Sequence, residues 1–127
     1  MYSYRAPLRD IRFVIHEVLD FEQHYRSLGR DELNRDLLEG ILEEGARFAE
    51  TVLAPTNRIG DEHGLRFEDG QVLTPPGFKE AYQRYCQDGW ITMTADPQWG
   101  GQGLPGGFAL AFGEMLCSGN MAWKMYS

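Results

Sequence analysis

Four groups of residues in this chain have types and spacings that bear on chemistry. Gly101-Gln102-Gly103-Leu104-Pro105-Gly106 satisfies the letters G-x-G-x-x-G. As a dinucleotide cradle that run needs a strand before it, a helix after it and an acidic residue about twenty positions on. Position 123 is a tryptophan, so the match is accidental. His16-Glu17 with Asp20 and His24 gathers metal-ligating types, but not as His-Glu-x-x-His, and 16 and 24 lie two helical turns apart. A solvated helical face is expected there, with no metal site. His63, just before Gly64, reads as a helix-end residue. Glu43-Glu44, Asp61-Glu62 and Glu68-Asp69 read as solvated acidic faces. No serine, cysteine or lysine has a base beside it in sequence, so no catalytic residue is assigned.

Trp123, Tyr126 and Ser127 are a different case. They fall at i, i+3 and i+4 of the last predicted helix and so share one face. Such a face can wall an apolar ligand pocket, or it can fill the core of a bundle. Both readings stand on the residues alone.

The elements that must position these groups are helical. Asp10 is a candidate N-cap for a helix over about 10–20, where Ile11, Val14, Ile15, Val18 and Leu19 recur at helical spacing. Residues 21–28 continue it or form a short second piece that Gly29 stops. Asp31 is the candidate cap of the longest helix. Leu33, Leu37, Ile41, Phe48 and Val52 make one stripe of it, and Leu38, Leu42, Ala49 and Leu53 lie beside them. A stripe that broad fits a helix packed in a bundle. Gly40 and Gly45 each cost about 1 kcal/mol against alanine inside a helix, which close approach of a neighbour would offset. Pro55 bends or ends that helix, and a further turn or two runs towards Gly64.

Alternation around Asp69-Gly70 predicts a small hairpin within 65–73. Thr74-Pro75-Pro76-Gly77 starts the next helix, with Phe78, Ala81, Tyr82 and Tyr85 on its apolar face. Trp90-Ile91 is expected to drop into the core. The loop Asp96–Gly103 follows, with Trp99 as its anchoring side chain and Gly100, Gly101 and Gly103 free to take positive φ or lie flush against a neighbour. A helix over about 106–117 comes next, and Asn120 is a candidate cap for a last one beginning at Met121. The fold class expected is all-α: a bundle of about five to six helices with a hairpin-like loop.

The totals bound the function. The chain has 127 residues, 43% hydrophobic and 24% charged, with a formal net charge of −7. That is one soluble globular domain. The acidic balance argues against nucleic acid or an anionic membrane as the main partner. No apolar run reaches the roughly eighteen residues of a membrane span, and the N-terminus lacks the apolar core of a secretory signal. Cys86 and Cys117 stand far apart beside apolar neighbours, which fits reduced thiols and a cytoplasmic setting.

Several segments together resemble one family. The loop Pro97-Gln-Trp-Gly-Gly-Gln-Gly103, leading into a helix that carries Glu114-Met115, resembles the end of the N-terminal helical domain of flavin-dependent acyl-CoA dehydrogenases. Ala46-Arg-Phe-Ala-Glu-Thr-Val-Leu-Ala-Pro55 is similar to that domain's alanine-rich helix closing on aliphatic-Ala-Pro. Gly89-Trp90 before the loop is similar to its Gly-aromatic passage. Tyr4-Arg-Ala-Pro-Leu-Arg-Asp10, with Phe13 and Leu19-Asp-Phe21, resembles a longer branch that includes 3-methylmercaptopropionyl-CoA dehydrogenases. One departure is Asp96-Pro97 where many relatives carry Pro-Glu.

The resemblance implies residues 1–127 as the helical N-terminal domain, with 1–30 as a branch-specific extension, cut before a β-domain and a second helical domain. The last helix breaks off after two turns without a closing signal, which weighs slightly towards a stand-alone module, since a bundle missing neighbours exposes an apolar patch. It implies a complete enzyme that desaturates an acyl-CoA thioester between its α and β carbons, holds FAD and hands electrons to an electron-transfer flavoprotein. It also implies a homo-oligomer. Neither a catalytic base nor a flavin contact carries over onto this chain, which is expected to be inactive alone. Trp123, Tyr126 and Ser127 carry over as substrate-binding residues at one wall of the acyl pocket. The competing class is a stand-alone helical interaction or oligomerisation module without catalysis. A DNA-associated relative is a third option, against which the acidic balance counts.

Overall fold

The computed structural model describes residues 3–127. α1 (Leu8–Arg12) runs on as a π-helical turn over Phe13–Val18, and α2 spans Phe21–Ser27. α3 (Arg35–Phe48) passes through a second π-helical turn, Ala49–Leu53, into α4 (Ala54–His63). β1 (Arg66–Glu68) and β2 (Gln71–Leu73) pair antiparallel, Phe67 opposite Val72. α5 (Phe78–Gln87) follows, then 3-10 turns at Trp90–Thr92 and Pro97–Trp99, then α6 (Gly106–Lys124). The expected all-α bundle with a small hairpin is what the chain forms. Asp69 and Gly70, at φ 50° and 76°, make the hairpin turn that the dipeptide foretold.

The core lies where α3 and α4 cross α6. Leu38, Leu42, Leu53, Phe108, Met115 and Leu116 are fully buried there, each worth about 1.5–3 kcal/mol of transfer free energy. Beside them Phe48, Tyr85, Phe112 and Trp123 form an aromatic cluster. Tyr85 meets Trp123 edge-on at 5.5 Å, and Trp90 stacks on Phe112 at 4.1 Å. Gly45 is the contact point between α3 and α6, since a Cβ there would sit 2.8 Å from the Phe112 ring. The close approach that offsets a mid-helix glycine is therefore real at Gly45. At Gly40 nothing lies within 4 Å.

Local expectations fail where capping competes. Asp10 does not cap α1, because Pro7 occupies the N-cap and Asp10 lies in the first turn. Nor does Asp31 cap α3: Asn34 does, its Oδ1 accepting from Leu37 N at 2.9 Å. Leu33 is therefore buried from the connecting segment, not from the helix. Within α3 the row Leu38, Leu42, Phe48 faces inward and Leu37 is exposed. Trp90 is half-buried, but Ile91 turns outward.

α1 and its π turn dock on α3 through charge. Arg12 Nε donates to Glu39 Oε2 at 2.6 Å and Arg12 also reaches Glu43 at 3.1 Å. His16 Nε2 meets Glu39 Oε1 at 2.6 Å, and its side chain is only 4% exposed. The expectation of a solvated face at His16 is thus corrected, because Glu39 on α3 supplies a partly buried partner that sequence distance concealed. Burial works to raise the Glu39 carboxyl, but the hydrogen bonds from His16 and Arg12 outweigh it and hold the carboxyl below its ordinary range.

Candidate functional site

α6 is long and apolar, and it breaks near its end. Asn120 has extended backbone, φ −160° and ψ 94°, between helical residues. Its Oδ1 accepts from Trp123 N at 3.0 Å, the bond of an N-cap. Its Nδ2 donates to Thr56 Oγ1 on α4 at 2.8 Å, and that hydroxyl donates in turn to Leu53 O at 2.6 Å. The last turn of α6 is therefore a separately capped piece whose direction is fixed from α4. It delivers Trp123, 3% exposed, against α5, where the indole N–H donates to Phe78 O at 3.1 Å.

Trp123 lies at the base of an apolar cleft of about 500 Å3 between the hairpin, α5 and the end of α6. Leu65 and Val72 line the hairpin side, Phe78 and Tyr82 the α5 side, and Tyr126 closes the end. Lys79 is the one charged side chain in the lining. This size and character suit a small-molecule site. A larger hollow of about 690 Å3 lies between α3 and α5, but its cations are already neutralised: Arg47 by Glu44 and Arg84 by Asp88. It offers less chemistry than its volume suggests.

The structure brings Trp123 and Tyr126 together in the apolar cleft and leaves Ser127 outside its lining. Ser127 instead bonds back to α6, its Oγ donating to Lys124 O at 3.3 Å while Lys124 Nζ donates to its carbonyl at 2.9 Å. Burial, with smaller contributions from Cys86 and Tyr82, pushes the Tyr85 phenol above its ordinary range, and a hydrogen bond with Ser127 opposes that shift. The indole of Trp123 does double service as core and cleft floor, so the two sequence readings of that face are not exclusive.

The glycine loop differs from expectation in one respect. Trp99 does not anchor it: the side chain is 82% exposed. Backbone bonds hold the loop, among them Gln102 N to Thr92 O at 3.0 Å, Gly103 N to Ala95 O at 2.9 Å and Leu104 N to Met93 O at 3.0 Å. Gly101 lies flush on Ala95, with an added Cβ only 2.0 Å from the Ala95 carbonyl oxygen. The run from Gly101 to Gly106 follows a 3-10 turn, Pro97–Trp99, and not a strand. That run is therefore no dinucleotide cradle, and the apolar cleft offers a pyrophosphate a single cation, Lys79. Among the described residues there is also no cluster of His, Cys, Asp or Glu suited to a metal ion, and no helix is long and apolar enough to cross a membrane.

Sequence reasoning missed the opposite wall of the cleft. Leu65 and Val72 come from the hairpin segment and Phe78 and Tyr82 from α5, far before Trp123 in the chain, and no local pattern links them. The exposed apolar residues of a three-residue strand were the available signal.

The chain is 35% identical over 123 residues to 3-methylmercaptopropionyl-CoA dehydrogenase of Ruegeria pomeroyi, covering 97% of this chain and 21% of that protein. It is 31% identical over 91 residues to butyryl-CoA dehydrogenase of Syntrophomonas wolfei, covering 68% of this chain and 15% of that one. A broad-specificity linear acyl-CoA dehydrogenase of Mycobacterium tuberculosis is 29% identical over 132 residues, covering 100% and 21%. The chain thus spans about a fifth or less of the length of the curated relatives it matches. No family model matches it.

Proposed function

We propose, on the premise that this chain is related to acyl-CoA dehydrogenases, that it is the helical N-terminal part of a flavin-dependent enzyme that desaturates an acyl-CoA thioester. Its contribution is a wall of the acyl pocket. The observation that carries this role is the apolar cleft floored by Trp123 and closed by Tyr126, on a helix end that Asn120 and Thr56 hold in place. An alkyl chain laid there gains the transfer free energy of its methylenes, about 0.8 kcal/mol for each one buried. Ser127 acts one step removed, through Tyr85.

FAD, the base that removes the α proton and the docking site of an electron-transfer flavoprotein are assigned to the longer protein. When bound, the flavin accepts the hydride. The residues present here bind and exclude water; they move no proton. On this reading the 127-residue chain is catalytically inert, and the complete protein is a cytoplasmic homo-oligomer.

The test is to isolate the protein from its source cells and measure intact mass and flavin absorbance, then acyl-CoA oxidation. A yellow protein several times 14.5 kDa, whose activity falls on Trp123→Ala with the flavin retained, supports the reading. A colourless 14.5 kDa product refutes it and leaves the interaction-module class. Stoichiometric flavin bleaching by the 127-residue chain with FAD and an acyl-CoA would refute its inertness.

A further inference from the structure

Lys79 stands out by what does not meet it. The protein has a net charge of −7, and most of its arginines are held by carboxylates: Arg12 by Glu39 and Glu43, Arg58 by Glu62, Arg84 by Asp88. Lys79 has no ion pair or hydrogen bond among the described residues. It lies in the lining of the cleft whose other walls are Leu65, Val72, Phe78, Tyr82 and Trp123. Carboxylates outnumber cations by seven in this chain, yet none is placed against this ammonium. An apolar trough with a single unneutralised cation is complementary to a particular ligand chemistry: an alkyl chain that carries an anionic end.

We propose that this cleft binds an alkyl chain ending in a carboxylate, the chain lying against Trp123 and Tyr126 and the acid paired with Lys79 Nζ. The alkyl half of this inference rests on the acyl-chain reading above; the preference for an acid end is new and has its own readout. Thr74, also in the lining, offers a hydroxyl as a second donor. An ammonium at a partly wet rim is worth roughly fivefold in affinity for a matched anion. The choice between an acid-ended and a plain chain then falls to one residue.

The experiment is calorimetric titration of the protein with three ligands of equal chain length: decanoate, 1-decanol and decyltrimethylammonium. It is repeated with Lys79→Gln and with Lys124→Gln, whose ammonium is tied to the Ser127 carbonyl and lies outside the cleft lining. Decanoate is expected to bind about fivefold tighter than decanol and the cation weakest. K79Q should remove that order while leaving decanol within about twofold, and K124Q should change nothing. Equal binding of decanoate and decanol, or a preference that survives K79Q, overturns the inference and leaves the acyl-chain reading standing. Binding of none of the three overturns both.

Discussion

Asn120→Ala is the substitution that the structure prices most directly. The side chain is 1% exposed and makes two buried bonds, to Trp123 N at 3.0 Å and to Thr56 Oγ1 at 2.8 Å. Losing an N-cap costs about 1 kcal/mol, and leaving the Thr56 oxygen without its donor costs about 1–2 kcal/mol more. The Thr56 hydroxyl keeps its own bond to Leu53 O, so the penalty stays below that of a fully orphaned group. The expected loss is about 2–3 kcal/mol, a fall of roughly 10 °C in Tm for a domain of this size. Urea unfolding followed by circular dichroism measures it, with an unchanged m-value as the check that the denatured state is the same. Asn120→Ser separates the terms, since serine caps well but is too short to span to Thr56; it should recover about 1 kcal/mol. A loss under about 0.5 kcal/mol for Asn120→Ala, or no difference between the serine and alanine variants, would refute the view that Asn120 sets the end of α6.

Further outcomes follow from single contacts, each read by the shift in urea midpoint. Gly40→Ala should stabilise by about 0.5–1 kcal/mol through helix propensity alone, because its Cβ meets nothing within 4 Å. Gly45→Ala should destabilise by about 1–3 kcal/mol, because the same methyl lands 2.8 Å from the Phe112 ring and 3.2 Å from Met115 Cε. Gly101→Ala forces a Cβ against the Ala95 backbone and should cost more than about 2 kcal/mol, whereas Trp99→Ala should stay within about 0.5 kcal/mol. The Glu39 carboxyl lies below its ordinary range in the fold. Its contribution is therefore present above the ordinary glutamate pKa and is lost as pH falls through the depressed folded value. Midpoints measured from about pH 6 to about pH 3 should decline more steeply for the native chain than for Glu39→Gln.

The helices were legible because their signals are local. Apolar spacing placed α1, α3, α5 and α6, Asp69-Gly70 placed the hairpin turn, and Asn120 announced the cap it makes, whereas α2 was left open as a continuation of α1 and α4 was expected only as a further turn or two. Caps failed where two polar residues competed nearby: Asn34 wins over Asp31 because the helix starts at Arg35. Trp99 misled for a different reason. A large aromatic is an anchor only where there is a cavity to receive it, and here the backbone ladder to Thr92, Met93 and Ala95 already closes the loop. His16 misled in the opposite sense, since its partner Glu39 lies on another helix. For the candidate site, Trp123 and Tyr126 were readable from helical phase, whereas their counterparts Leu65, Val72, Phe78 and Tyr82 depend on how three elements meet.

Two breaks in helical regularity meet at the buried Asn120–Thr56 bond, and each has a residue to account for it. In a continuous α3–α4 helix the ring of Pro55 would strike the carbonyl four residues back, at Thr51. The π-helical turn Ala49–Leu53 lies immediately before the proline, widens the helix there and alters the phase of α4 relative to α3. With that phase Thr56 is buried and faces α6. Asn120 reaches the Thr56 hydroxyl only because its own backbone has left the helix. That departure frees the Trp123 amide for the Asn120 cap, and the indole then bonds Phe78 O. A proline on one helix and an asparagine on another thus act as one device. A chain with Pro55→Ala should regularise the π turn, turn Thr56 away from Asn120 and loosen Trp123. A crystal structure of that variant in which Asn120 still bonds Thr56 would separate the two breaks and leave the position of the cleft to Asn120 alone.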